Sequence, residues 1–293
     1  FDGRILRMRA ATPAEIEAAT EFGVEEQVAS CLIARKLVAL RGAGHEVRAH
    51  LALNAMGMSR DGLEIATDEG REAARAILDL LGRDIVGICT HFPSNSPDDL
   101  RQSDAEFQRQ VEWVLANSDL RRDEVLVHAG SSLTLVSGQP VGTDMYRCAA
   151  ILYGILKPEL GFRTTMALKS RVVSVADYPA GATVGYDRAT RLDSDCRLAC
   201  LSIGYANGFR REIRPGPGVT IRGQAAPIRG KVSMNTVVVD VTDIDAVDVG
   251  DVATIFDTGE NATSPVATTE DQFRTIMADL YSDWGLRNQR VYR

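Results

Sequence analysis

Strand-like and helix-like runs alternate through the first half of this chain, and that rhythm limits the available folds more than any other feature. "RILRMRA" (Arg4–Ala10) alternates apolar with basic residues and reads as a strand. Thr12-Pro13-Ala14-Glu15 follows with the pattern of a capping box and a proline at the first helical position. "EVRAHLAL" (Glu46–Leu53) is the next strand, and Thr67 and Asp68 open a helix through "REAARAILDLLG". "DIVGICTHF" (Asp84–Phe92) reads as a buried strand, and a helix over Asp104–Leu115 sets Phe107, Val111, Val114 and Leu115 on one face. "EVLVHAG" (Glu124–Gly130) and "DMYRCAAILYG" (Asp144–Gly154) continue the strand series. Strands that are apolar throughout, each followed by a helix, imply a parallel sheet with helices outside it. The expected fold class is therefore α/β, a (β/α) TIM-type barrel. A full barrel takes about 250 residues, and this half holds only five or six units of about 30 residues each, so the barrel is expected to lack its first units.

From about Gly161 the texture changes. "MALKSRVVSVADYPAGATVGYD", "CRLACLSIGYANG", "GVTIRGQAAPIRGKVSMNTVVVDVTD" and "VGDVATIFD" are short β-rich runs broken by Gly, Pro and Asp turns. Two domains are expected, an α/β one over 1–160 and a mainly β one over 161–293, closed by a short helix over Glu270–Leu280. The net charge of -7 argues against a general nucleic-acid partner. Five cysteines form no CxxC pair and no zinc-ligand spacing, and they read mostly as small buried residues. No apolar run approaches the roughly 20 residues that span a membrane, and no signal peptide is visible. The sequence opens at Phe1 without a methionine, which reads as a processed or truncated product.

Candidate chemical groups are dispersed. His91 follows a strand at its C-terminal end, where barrel enzymes keep their chemistry, and is read as either site or structure. Arg60 lies in the glycine-bounded "GMSRDG" loop and suits solvent as well as a ligand. Arg147 interrupts an apolar strand, so it is either paired structurally or aimed at a ligand. Gly130-Ser131-Ser132 offers N–H and hydroxyl groups to a phosphate, or is an ordinary helix cap. Tyr205 sits in "LSIGYANG", where a strand enters a turn.

Taken in order, "THF", the serine loop, "YR….LYG", "IGYANG" and "GKVSMNT" resemble the alanine racemase family, pyridoxal phosphate enzymes with a barrel followed by a β domain. "RMRAATPAEIEAA", "HLALNAMGMSRDGLE", "TVGYDRAT" and "VSMNTVVVDVTD" resemble its broad-specificity amino-acid racemase branch more closely. Arg7 and Arg9 match the arginine pair that marks that branch, and Ala52 and Asn54 fall where ordinary alanine racemases carry lysine and aspartate. The resemblance implies that Tyr205 is one of two acid/base groups and that Arg147 hydrogen-bonds the cofactor's pyridine nitrogen. It implies that His91 supports that arginine, that Arg60 reaches the ring oxygen and the substrate carboxylate, and that Ser131 holds the phosphate. Met234 would position the substrate carboxylate through its backbone. It further implies a free amino acid as substrate, alanine or another neutral or basic one, and a homodimer with shared active sites. A periplasmic location is expected over a cytoplasmic one, with no nucleic-acid or membrane partner.

The family carries its cofactor on a lysine in a Lys-Ala-x-Ala-Tyr-Gly motif, and no such motif occurs here. The four lysines are Lys36, Lys157, Lys169 and Lys231, and none is in such a context. The same amine serves as the second base, so its loss is expected to impair racemisation by the roughly 10²–10⁴-fold that such a base contributes. The family's "NS" reads Gly130-Ser131, its "RPG" reads Arg147-Cys148-Ala149, and its phosphate-binding tyrosine is replaced near Asn288–Gln289, which weakens the phosphate site. Two alternatives remain open: a non-catalytic remnant that binds ligand or dimerises, and a decarboxylase of the same architecture.

Overall fold

Six strands pair in sequence order, and every pairing is parallel. They are β1 (Ile5–Leu6), β2 (Val24–Val28), β3 (Ala49–Ala52), β4 (Ile85–Cys89), β5 (Leu126–Ser131) and β6 (Met145–Arg147). A doubly wound sheet reverses its strand order at a switch point; adding each strand on the same side is barrel-type winding. The computed structural model describes residues 2–213, 218–258 and 265–292, so Phe1 and Arg293 lie outside the described residues. Between the strands run α1 (Pro13–Ala19), α2 (Cys31–Gly42), α3 (Asp68–Leu81) and α4 (Pro97–Ala116), and α5 (Ser132–Val136) is a single turn. Leu51, Ile77, Ile88, Phe107 and Val127 are fully buried between sheet and helices.

The helices begin where their caps dictate. Thr12 completes the capping box with Glu15, and Thr67 accepts from Gly70 N–H at 3.0 Å. α4 starts seven residues ahead of the expected Asp104, because Ser96 caps it and Pro97 enters its first turn. Its first turn is polar, which hid it from an apolar periodicity. β1 is shorter than the Arg4–Ala10 run, and the Asp144–Gly154 run keeps only β6 as strand. β2, "VEEQV", is a strand that the pattern did not reveal, since Glu25 and Glu26 are both only 2% exposed.

The chain divides into two compact units, Phe1–Ala149 and Ala150–Arg293. Ala150 and Ile155 pack with the second core, so the division falls ahead of the change of texture at Gly161. In the second unit seven strands form one sheet in the order β12-β11-β15-β7-β10-β14-β13. They are β7 (Leu168–Tyr178), β10 (Cys196–Leu201), β11 (Val219–Ile221), β12 (Gln224–Ala226), β13 (Ile228–Arg229), β14 (Val237–Asp240) and β15 (Val252–Phe256). β8 (Thr183–Val184) and β9 (Thr190–Arg191) make a separate ribbon. The pairings are antiparallel, as short strands joined by Gly and Asp turns require. The closing helical region is two helices, α6 (Val266–Phe273) and α7 (Met277–Arg287), parted at Arg274, which takes a left-handed φ of 52°. Phe209, Phe256, Phe273 and Trp284 form their buried aromatic cluster. Among the described residues no helix is long and apolar enough to cross a membrane.

Candidate active site

Parallel strands in sequence order bring all their C-terminal ends to one edge, so residues far apart in sequence converge there. Arg147 ends β6, His91 lies two residues beyond β4, Ser131 ends β5, and Ala52 ends β3. A narrow pocket at this edge is lined by Ala52, Arg60, Cys89, His91 and Arg147, with Met8 and Gln27 beside them.

Arg147 has five N–H donors, and four have partners within the protein. Nη1 reaches the backbone oxygen and Nδ1 of His128, both at 3.0 Å. Nη2 donates to the Thr90 carbonyl at 2.6 Å and to His91 Nδ1 at 3.1 Å. The fifth, Nε–H, is buried and has no partner among the described residues. Every acceptor is neutral, so burial works against the guanidinium charge and pushes its pKa down from the usual arginine value. An arginine still remains charged at any physiological pH.

His91 is held below the ordinary imidazole value by burial, reinforced by Arg147 and Arg60. It is therefore neutral, with Nδ1 accepting. Burial, with Arg147 close by, pushes His128 down to about 3. Burial pushes the Cys89 thiol up to about 12, so this cysteine lines the pocket as an inert group. Asn54 organises the loop that carries Arg60. Its amide nitrogen donates to Glu64 at 2.6 Å and its oxygen accepts from Ser59 N–H at 2.9 Å. Gly62, at φ 100°, lies so close to Leu53 that a Cβ would come within 2.8 Å of its carbonyl carbon. Arg60 itself is exposed, 3.7 Å from Asp61.

Arg7 and Arg9 take local partners. Arg7 pairs with buried Glu26 at 2.9 Å, and Arg9 with Glu15 at 2.5 Å, tying the segment after β1 to β2 and α1. Ser131 N–H donates to Thr134 Oγ1 at 3.0 Å, a cap for α5. The neighbouring Ser132 hydroxyl accepts from Ala149 N–H at 3.2 Å and bridges to the segment after Arg147. Sequence reasoning passed over His50, His128 and Glu25, which lie behind Arg147. Their signal was polar residues inside strands that are otherwise buried.

The second unit holds Tyr205 and Met234 on two loops zipped together. Tyr205 N–H donates to Ser233 O at 3.1 Å and Ala206 N–H to Met234 O at 3.0 Å. Gly204 permits this approach, since a Cβ there would lie 2.3 Å from Ser233 O. Asn207 Oδ1 accepts from Gly204 N–H, and Gly208 takes a φ of 82° with its carbonyl held by Trp284 Nε1. Asn288 spends its amide on Asn207 O at 2.9 Å. The tyrosine side chain is 37% exposed on this fixed turn, and Met234 is 54% exposed beside it.

Residues 1–157 match the family model "Alanine racemase, N-terminal domain" and residues 165–292 match "Alanine racemase, C-terminal domain". A broad specificity amino-acid racemase of Aeromonas hydrophila subsp. hydrophila is 38% identical over 292 residues, covering 99% of this chain and 72% of that protein. A lysine racemase of Proteus mirabilis is 36% identical over 292 residues, with 99% and 72% covered. The crystal structure of alanine racemase from D-cycloserine-producing Streptomyces lavendulae superposes with a TM-score of 0.88 at 23% identity, covering 100% of this chain and 78% of that one.

Proposed function

Because the chain belongs to the alanine racemase family, whose members use pyridoxal phosphate, we propose that it interconverts L- and D-amino acids by proton transfer at the α-carbon. The observation that carries this reading is the unspent Nε–H of Arg147. A buried donor left unsatisfied costs about 1–3 kcal/mol. A pyridine nitrogen is the neutral acceptor that such a donor fits. An arginine there gives a hydrogen bond without surrendering its proton, so the ring nitrogen stays unprotonated. When bound, the cofactor supplies an electron-poor ring that acidifies the substrate's α-hydrogen.

The chain's own residues do the rest. Arg147 would orient the ring, and His91 braces Arg147 through Nδ1, 3.1 Å from Nη2. Arg60 and the backbone N–H of Met234 hold the substrate carboxylate, while Ser131 and its neighbours take the phosphate. Tyr205 takes or returns the α-proton at its phenol oxygen. In a homodimer, Tyr205 and Met234 of one subunit serve the Arg147 pocket of the other. Tyr205 is the base that this reading assigns among the described residues. The relatives named as broad-specificity and lysine racemases, at 36–38% identity, support a substrate range of neutral and basic amino acids.

The test is cofactor titration with Arg147→Leu as comparison, followed by exchange of the α-hydrogen of L-alanine and L-lysine in deuterated water. Cofactor binding weakened about tenfold or more in Arg147→Leu supports the site. Exchange that depends on cofactor and on Tyr205 supports racemisation; cofactor binding without exchange would count against it. Binding indifferent to Arg147 would overturn the site.

A further inference from the structure

Behind Arg147 the interior of the first unit holds a single-file chain of polar groups. His128 on β5 meets Arg147 through Nδ1 at 3.0 Å and meets His50 on β3 through Nε2, 2.8 Å from His50 Nδ1. His50 Nε2 lies 2.7 Å from a carboxylate oxygen of Glu25 on β2. Glu25, His50 and His128 are 2%, 1% and 0% exposed. The rings meet edge to face at 74°, and they fit because β4 carries Gly87, where a Cβ would lie 2.1 Å from His50 Nδ1.

Donor and acceptor roles along this chain have one consistent order. Arg147 can only donate, so His128 Nδ1 accepts and its proton sits on Nε2. That proton goes to His50 Nδ1, which places the His50 proton on Nε2, directed at Glu25. Glu25 accepts it as a carboxylate, which Arg4 grips at 2.6 and 2.8 Å and Arg48 at 2.9 Å. The opposite order would set an N–H of His128 against an N–H of Arg147.

We propose that Glu25, acting through His50 and His128, is a positioning residue that fixes both histidine tautomers and thereby holds Arg147 with its Nε–H left unspent among the described residues. This rests on Arg147 facing the cofactor ring as proposed above. Glu25 touches nothing at the pocket; it acts from the outer end of the relay, setting through His50 the same tautomer order that Arg147 requires of His128 at the inner end. The charged groups facing the relay are Arg4 and Arg48 at its outer end, and Arg147 and Asp144 near His128. Burial holds both histidines below the ordinary imidazole value, which keeps them neutral, while Arg4 and His50 overcome burial to hold Glu25 at about 2.

The experiment is nitrogen-15 NMR of the histidine rings and of Arg147 Nε in the whole chain without cofactor, so that its outcome is separate from that of the racemase reading. Between about pH 5 and 8, where free imidazole titrates, His50 and His128 should stay neutral with the proton on Nε2. In Glu25→Gln, whose amide can donate as well as accept, His128 should become a mixture of tautomers. The Arg147 Nε–H should then exchange with water about tenfold faster or more. A wild-type His128 protonated on Nδ1, or titrating in that range, would overturn the relay even if the variant failed to fold. So would a folded Glu25→Gln chain with both rings and the Nε–H exchange unchanged.

Discussion

Adding one methyl group at Gly87 should strike the relay at its tightest point. In Gly87→Ala the new Cβ would lie 2.1 Å from Nδ1 and 2.5 Å from Cε1 of the His50 ring. That ring is 1% exposed and held at both edges, by His128 at 2.8 Å and by Glu25 at 2.7 Å, so it has no solvent to retreat into. Overpacking of this kind costs about 1–3 kcal/mol, and weakening one neutral and one charged hydrogen bond adds a comparable amount. The expected loss is about 3–5 kcal/mol, read as a drop in the urea midpoint with an unchanged slope. All three atoms nearest that Cβ belong to His50, so the cost should vanish when the ring is removed. On a His50→Ala background, Gly87→Ala should be neutral or slightly stabilising, because alanine restricts the unfolded chain. An equal cost in both backgrounds would refute the reasoning.

Three further outcomes follow from the same geometry. Acid should destabilise the first unit in two stages. A histidine depressed to about 3 loses stability as pH falls below its unfolded value near 6.5, and a glutamate depressed to about 2 does so from its unfolded value near 4.5 down to about 2; urea midpoints that stay flat from neutral pH to pH ~4 would contradict this. Tyr205→Phe removes only a phenol oxygen from a 37% exposed side chain, so stability should change by less than about 0.5 kcal/mol. Cofactor-dependent α-hydrogen exchange should meanwhile fall about 10²–10⁴-fold, and equal rates in deuterated water would remove Tyr205 from the chemistry. Gly204→Ala pushes a Cβ to 2.3 Å from Ser233 O and 2.4 Å from Met234 O, both backbone. It should unzip the Tyr205 and Met234 loops, seen as faster amide exchange at Tyr205 and Ala206; wild-type protection there would sink that role for the glycine.

How legible each part was in the sequence depended on whether its partners were local. β3, β4 and β5 were readable because both faces of a parallel sheet are covered, which makes such strands apolar throughout. β2 was not, because burial of Glu25 and Glu26 is made possible by Arg4, Arg7, Arg48 and His50, and no local pattern announces them. The caps at Thr12 and Thr67 were legible, since their donors lie three residues away. Arg147 stood out as a charge in an apolar run, but its neutral partners did not. His128 lies 19 residues from it, and His50 a further 78 from His128, so their convergence depends on strand order. In the second unit "GYANG" announced a turn. That its first glycine makes room for the Ser233–Met234 loop could not be read until the two loops were seen side by side.

The most direct measurement is the resonance of the Arg147 Nε–H, assigned by its loss in Arg147→Lys, as pyridoxal phosphate is added to the whole chain. If that donor is reserved for the cofactor ring, the signal moves, and its exchange with water slows as the cofactor binds. Saturable binding that leaves the Nε–H signal and its exchange unchanged would contradict the assignment of Arg147 to the ring nitrogen.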